Sequence, residues 1–182
     1  MGLQIEDGTG NGFTAEVNKE NKLSTNSIIS KQELHVNISE GESFTAMFSV
    51  TPTGAGDCFG YIKNGSVNNM VVATLMLRCA SDEIIQVKLG DVGTPLNGSD
   101  ITLVNRNAGS GNVASVTAQQ GVDITGLSGG GVVAGAFIKG GESSLQIEIA
   151  SGLIVPKNKI ISFYVVTGTA AVMVGASVYF HD

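Results

Sequence analysis

The stretch Ile160-Ile161-Ser162-Phe163-Tyr164-Val165-Val166 is apolar in all but one position, rich in β-branched and aromatic side chains, and stops at Thr167-Gly168. A short run of this kind predicts a strand covered on both faces rather than a helix. MVVATLML at 70–77 and AAVMVGASVYF at 170–180 read the same way. Elsewhere apolar and polar residues alternate. Leu34, Val36 and Ile38 bracket His35 and Asn37, and Phe44, Ala46, Phe48 and Val50 recur at every second position. Ile85, Val87 and Leu89 enclose Gln86 and Lys88, and Leu145, Ile147 and Ile149 enclose Gln146 and Glu148. A period of two predicts half-buried strands in antiparallel sheets with one wet face. PTGAGD, KNGSVNN, GTPLNGSD, NAGSGN and SGGG separate the runs and have the chemistry of turns. About nine or ten short strands follow, so the fold class is all-β: a two-sheet sandwich, jelly-roll-like.

Residues 26–182 form this single sandwich domain in the sequence reading, and residues 1–25, polar and glycine-rich at their start, form an extended N-terminal arm. The one segment with a helical leaning, Ala15 to Leu23, is weakened by Asn18 and Asn21. With no Trp and only 5% aromatics the core must be built mainly from Val, Ile, Leu and Ala, and charged residues make up only 14%. Much of the surface is therefore neutral, as suits a chain that covers itself against partners. The net charge is −6 and the ten Lys and Arg are scattered, so there is no basic stripe for nucleic acid. No charged n-region with an apolar h-region opens the chain, and no run approaches about 18 apolar residues. That predicts a soluble protein, used without export and without a membrane partner. Cys58 and Cys79 are expected to be free buried thiols rather than a disulfide framework.

DGTGNG at 7–12 is the segment that most resembles a site. Asp7, Thr9, Asn11 and Gly12 echo the opening of a calcium loop, but the position that needs a bidentate Glu is Asn18, leaving one carboxylate. Gly10-Asn11-Gly12-Phe13-Thr14-Ala15 matches a dinucleotide fingerprint, yet no buried strand enters it and no helix leaves it. Gly126-Leu127-Ser128-Gly129-Gly130 fits the pattern of a nucleophile elbow, with Glu142, Glu148 and His181 following in a usable order. The elbow requires a helix after the Ser, and GVVAGAFIKGG is too glycine-rich and β-branched to be one. No spacing of His and Cys suits zinc, and His35 is expected to be solvated on the polar face of its strand. Glu40 with Glu42, Asp82 with Glu83, and Asp123 all read as solvated turn acids. The expectation is a protein that is not an enzyme, with no catalytic residue, cofactor or metal.

MGLQIEDGTGNGFTAEVNKENKL, NGSDITLVNRNAGSGNVAS and VMVGASVYFHD together resemble a group of small tailed-bacteriophage virion proteins. The shared layout is a glycine-rich GxG element (Gly10 to Gly12), a V(N/D)xxN(R/K)L segment (Val17 to Leu23), and a sandwich whose final apolar strand ends in an aromatic residue, His and an acid (Phe180-His181-Asp182). The resemblance implies a structural protein of the virion, assembled in the host cytoplasm. The type it implies is a capsid decoration (cement) protein, a homotrimer that stabilises the shell by binding the major capsid protein. A tail or neck component, or a host-glycan-binding module of the same fold, is the alternative. In the decoration reading Leu3, Ile5, Asp7, Gly8, Gly10 and Gly12 are the expected contact residues of the arm, docking by strand addition.

Overall fold

In the computed structural model, which describes residues 32–141 and 145–181, the chain pairs with itself like one long hairpin rolled around a core. Among the described residues one helix, α1 (Gln32–Ser39), precedes twelve strands. Eight of them make the roll: β1 (Ser43–Val50), β2 (Cys58–Asn64), β3 (Asn69–Cys79), β4 (Glu83–Leu96), β9 (Gly131–Ile138), β10 (Leu145–Val155), β11 (Ile160–Val165) and β12 (Val172–His181). Pairing is antiparallel and nested: β1 with β12, β2 with β11, β3 with β10 and β4 with β9. Two further ladders, β3 with β12 and β4 with β11, join these pairs into sheet one (β10-β3-β12-β1) and sheet two (β9-β4-β11-β2). That is the jelly-roll order, and the all-β two-sheet sandwich is as the alternating runs predict.

The remaining strands lie in one insertion between β4 and β9: β5 (Ser99–Asp100), β6 (Val104–Asn105), β7 (Val116–Gln120) and β8 (Thr125–Ser128). Three of them close one side of the sandwich. β6 extends sheet one beyond β1, while β7 and then β5 extend sheet two beyond β2. β8 pairs with the outer half of β4, so that β8 and β9 run in succession along that one long strand.

The core lies between the sheets. Phe48 of sheet one meets Phe163 of sheet two at 5.2 Å between ring centroids, and Phe44 packs edge-on against Phe180 at 5.8 Å. Gly60 makes room for this: a Cβ there would stand 2.6 Å from Phe48 Cδ1. β11 is buried along its whole length because both of its faces are covered. Ile161, Phe163 and Val165 enter the main core, whereas Ile160 and Tyr164 join Cys58, Tyr61 and Ile124 in a second cluster on the outer face of sheet two.

Four expectations need correction. The Leu34–Ile38 alternation is not a strand but the centre of α1, and His35 is an exposed helical residue. A helix turns successive residues by about 100°, so only one of the three apolar side chains, Val36, reaches sheet one, where it packs on Val71 and Tyr179. Next, GTPLNGSD is not wholly a turn: β4 runs through it to Leu96, and β5 starts at Ser99. Among the described residues the strands number twelve, and the additional short ones are those of the insertion. Third, Glu83 is fully buried rather than solvated. Fourth, the runs at 70–77 and 170–180 are not covered throughout on both faces: Met76 and Met173 are exposed on the outer face of sheet one, which among the described residues carries only α1 at one end. The arm (residues 1–25) with Leu3, Ile5, Asp7, Gly8, Gly10 and Gly12, and the Ala15–Leu23 segment, lie outside the described residues.

Candidate interaction surface

Two buried carboxylates hold the frame on which the exposed surface is displayed. Gly90, at φ 90°, is the extra residue of a bulge in β4, between the pairs Leu89–Ile161 and Asp91–Ile160. The bulge brings Asp91 under the glycine connection between β8 and β9. There Gly130 N–H donates to Asp91 Oδ1 at 2.7 Å, while the Ser162 hydroxyl and Tyr164 OH (3.1 Å) donate to Oδ2. Lys88 Nζ sits 3.7 Å above the centroid of the Tyr164 ring. Burial pushes the Tyr164 hydroxyl and the Cys58 thiol upward, the thiol to about 11. These groups tie β4, β11 and the β8–β9 connection together.

Glu83 does the same at the other end of β4. Its Oε1 accepts from Ile84 N–H (2.8 Å), Thr167 N–H (2.9 Å), the Thr167 hydroxyl (2.7 Å) and Val166 N–H (3.3 Å). Its Oε2 has no hydrogen-bond partner among the described residues. Burial alone would raise the carboxyl, but the four donors outweigh it and hold Glu83 below the ordinary value of 4.5.

The residues of the elbow pattern are spread apart. Ser128 is exposed on β8 opposite Val92, in sheet two, whereas His181 is exposed at the end of β12 opposite Asn69, in sheet one. Glu142 and the side chain of Glu148 lie outside the described residues. Cys58 and Cys79 are both free and buried, as expected. Cys79 lines an open cleft of about 200 Å³ beside Arg78 and Met173, and burial raises its thiol to about 11. The thiolate, which is the reactive form, is scarce at neutral pH in such a site. Among the described residues no three His, Cys, Asp or Glu side chains converge as metal ligands, and no helix is long and apolar enough to cross a membrane.

In three places the fold presents apolar side chains outward. On α1, Leu34 and Ile38 are exposed by 50% and 69%, one turn apart on the face opposite the buried Val36. On sheet one, Met47 and Met76 flank Gly175 from the two neighbouring strands, with Met173 beside them, all exposed. The longest such strip is β9, where Val132, Val133 and Phe137 are exposed by 54%, 44% and 62%. Sequence reasoning left all three surfaces unmarked. The signal for the last was available in GVVAGAFI, eight residues without a charge.

Comparison with known proteins finds no matching family model, no matching curated sequence and no matching solved structure.

Proposed function

We propose that this chain is a non-enzymatic structural protein of a phage virion, a capsid decoration protein that self-associates and stabilises the shell through contacts with the major capsid protein. The observation that carries this reading is the division of labour among its side chains. The buried polar groups, Asp91 and Glu83 foremost, are engaged in holding strands and connections together. The exposed apolar ones, on α1, sheet one and β9, are left for contact. Exposed apolar groups gathered in this way mark sites of protein association. Residues 1–25 serve as the reaching arm, with Leu3 and Ile5 beside the glycines of DGTGNG. Repetition around a shell turns a modest contact into firm attachment.

The test is binding of the purified chain to undecorated capsids of its own phage, scored as copies bound per particle. The chain is expected to saturate a fixed set of sites, and a chain lacking residues 2–12 to lose most of that occupancy. Unchanged occupancy would remove the arm from the contact. No binding by the full chain, together with a tail position in labelled virions, would replace the decoration role by the tail or neck alternative.

A further inference from the structure

The sandwich protects one side and leaves the other open. On the protected side β6 covers the edge of β1, and β7 with β5 covers the edge of β2. On the open side, among the described residues, β9 pairs only with β4 and β10 only with β3. An uncovered edge presents a row of free N–H and C=O groups, which soluble proteins usually guard with Lys, Pro, an inward charge or a bulge. From Gly131 to Ile138 there is no charge and no Pro. The one such device is a bulge at Val133, between the pairs Ala134–Val87 and Val132–Lys88. Without it Val132 and Phe137, five residues apart, would point to opposite faces; with it both lie on the outer face of sheet two.

We propose that β9 is the seam at which one copy of this chain pairs with a second copy, strand against strand. The strand's own composition selects the occupant. Edge strands that carry charge set like charges against each other when they meet a second copy, whereas Gly131–Ile138 is uncharged and brings none against itself. Antiparallel pairing about the centre of Gly131–Ile138 sets Lys139 of each copy beside the glycines that open the other's strand, so no like charges meet. It also sets Phe137 of each copy directly opposite Val132 of the other, on one face, as an aromatic and β-branched pair. Such a contact is self-complementary and closes with two chains. The three-chain assembly implied by the phage resemblance needs a different contact.

The proposal shares self-association with the function above but requires no capsid, so the two fail separately. Light scattering on the purified full chain is expected to give a two-chain mass. Phe137→Lys and Val132→Lys are each expected to halve it, with the circular dichroism spectrum unchanged, while Val67→Lys, exposed in the β2–β3 connection, keeps the two-chain mass. A one-chain or three-chain mass for the unaltered protein overturns the seam. So does a two-chain mass that survives both β9 substitutions, or one that is lost only on deletion of residues 2–12.

Discussion

Glu83 shows how much a single residue can carry that its sequence neighbourhood conceals. Next to Asp82 and after Ser81 it has the look of a turn acid, because nothing local reveals that the backbone of Val166 and Thr167, more than eighty positions away, needs an acceptor. Asp91 was better advertised: an isolated Gly before it, inside an alternating strand, is the mark of a bulge. The Glu83 arrangement has a consequence for pH. Its carboxyl is lower in the folded protein than in the unfolded chain, so its stabilisation is complete above the ordinary value of 4.5 and fades as pH falls through the folded value. Protonation would place a hydrogen on Oε2, where no acceptor waits. Glu83→Gln places an amide there instead and is expected to lower stability at neutral pH by about 1–3 kcal/mol. The gap between variant and wild type should narrow below about pH 4. Urea midpoints at several pH values measure this; a gap independent of pH would mean the charge of Glu83 contributes nothing.

At the scale of elements, cover on both faces holds, of the apolar runs β3, β11 and β12, along β11 alone, since Met76 of β3 and Met173 of β12 are exposed. The strand character of all three and the alternation of β1 and β4 were legible. Helix α1 was not, because three apolar residues at every second position satisfy a strand template over so short a span. Two interactions hold α1 to sheet one, and their magnitudes differ. Val36 is buried against Val71 and Tyr179. Glu33 accepts from Arg106 and, at 2.5 Å, from the Ser177 hydroxyl, with the Arg106 side chain 42% exposed. Val36→Ala is expected to cost about 1–2 kcal/mol through lost burial, and Arg106→Ala less than about 1 kcal/mol, as for partly solvated ion pairs. Chemical denaturation of the two variants checks the order, and a larger loss from Arg106→Ala would show that the ion pair, not Val36, seats the helix.

For the whole molecule, the sandwich class was legible and the nested pairing was not, since periodicity says which face a strand buries and nothing about which strand it meets. Pairing β1 with β12 joins Ser43–Val50 to Val172–His181 across most of the described chain. Such non-local topologies fold in about milliseconds to seconds, slowly for their size. β12 also stands in the middle of sheet one, between β3 and β1. A chain stopped after Ala171 is expected to lose cooperative unfolding, and a peptide covering residues 172–181 to restore part of it. Cooperative unfolding of the shortened chain by itself would show that sheet one closes without its central strand.

The position of β12 has a consequence during synthesis. Ribosomes extend a chain at about 5–20 residues per second, so on the order of ten seconds separates the emergence of β1 from that of the strand it pairs with. Through that interval Phe44, Ala46 and Phe48 have been translated and have no β12 neighbour to pair with. How long this apolar strand waits, open to chaperones and to other nascent chains, is set by the pace of translation rather than by the stability of the finished sandwich.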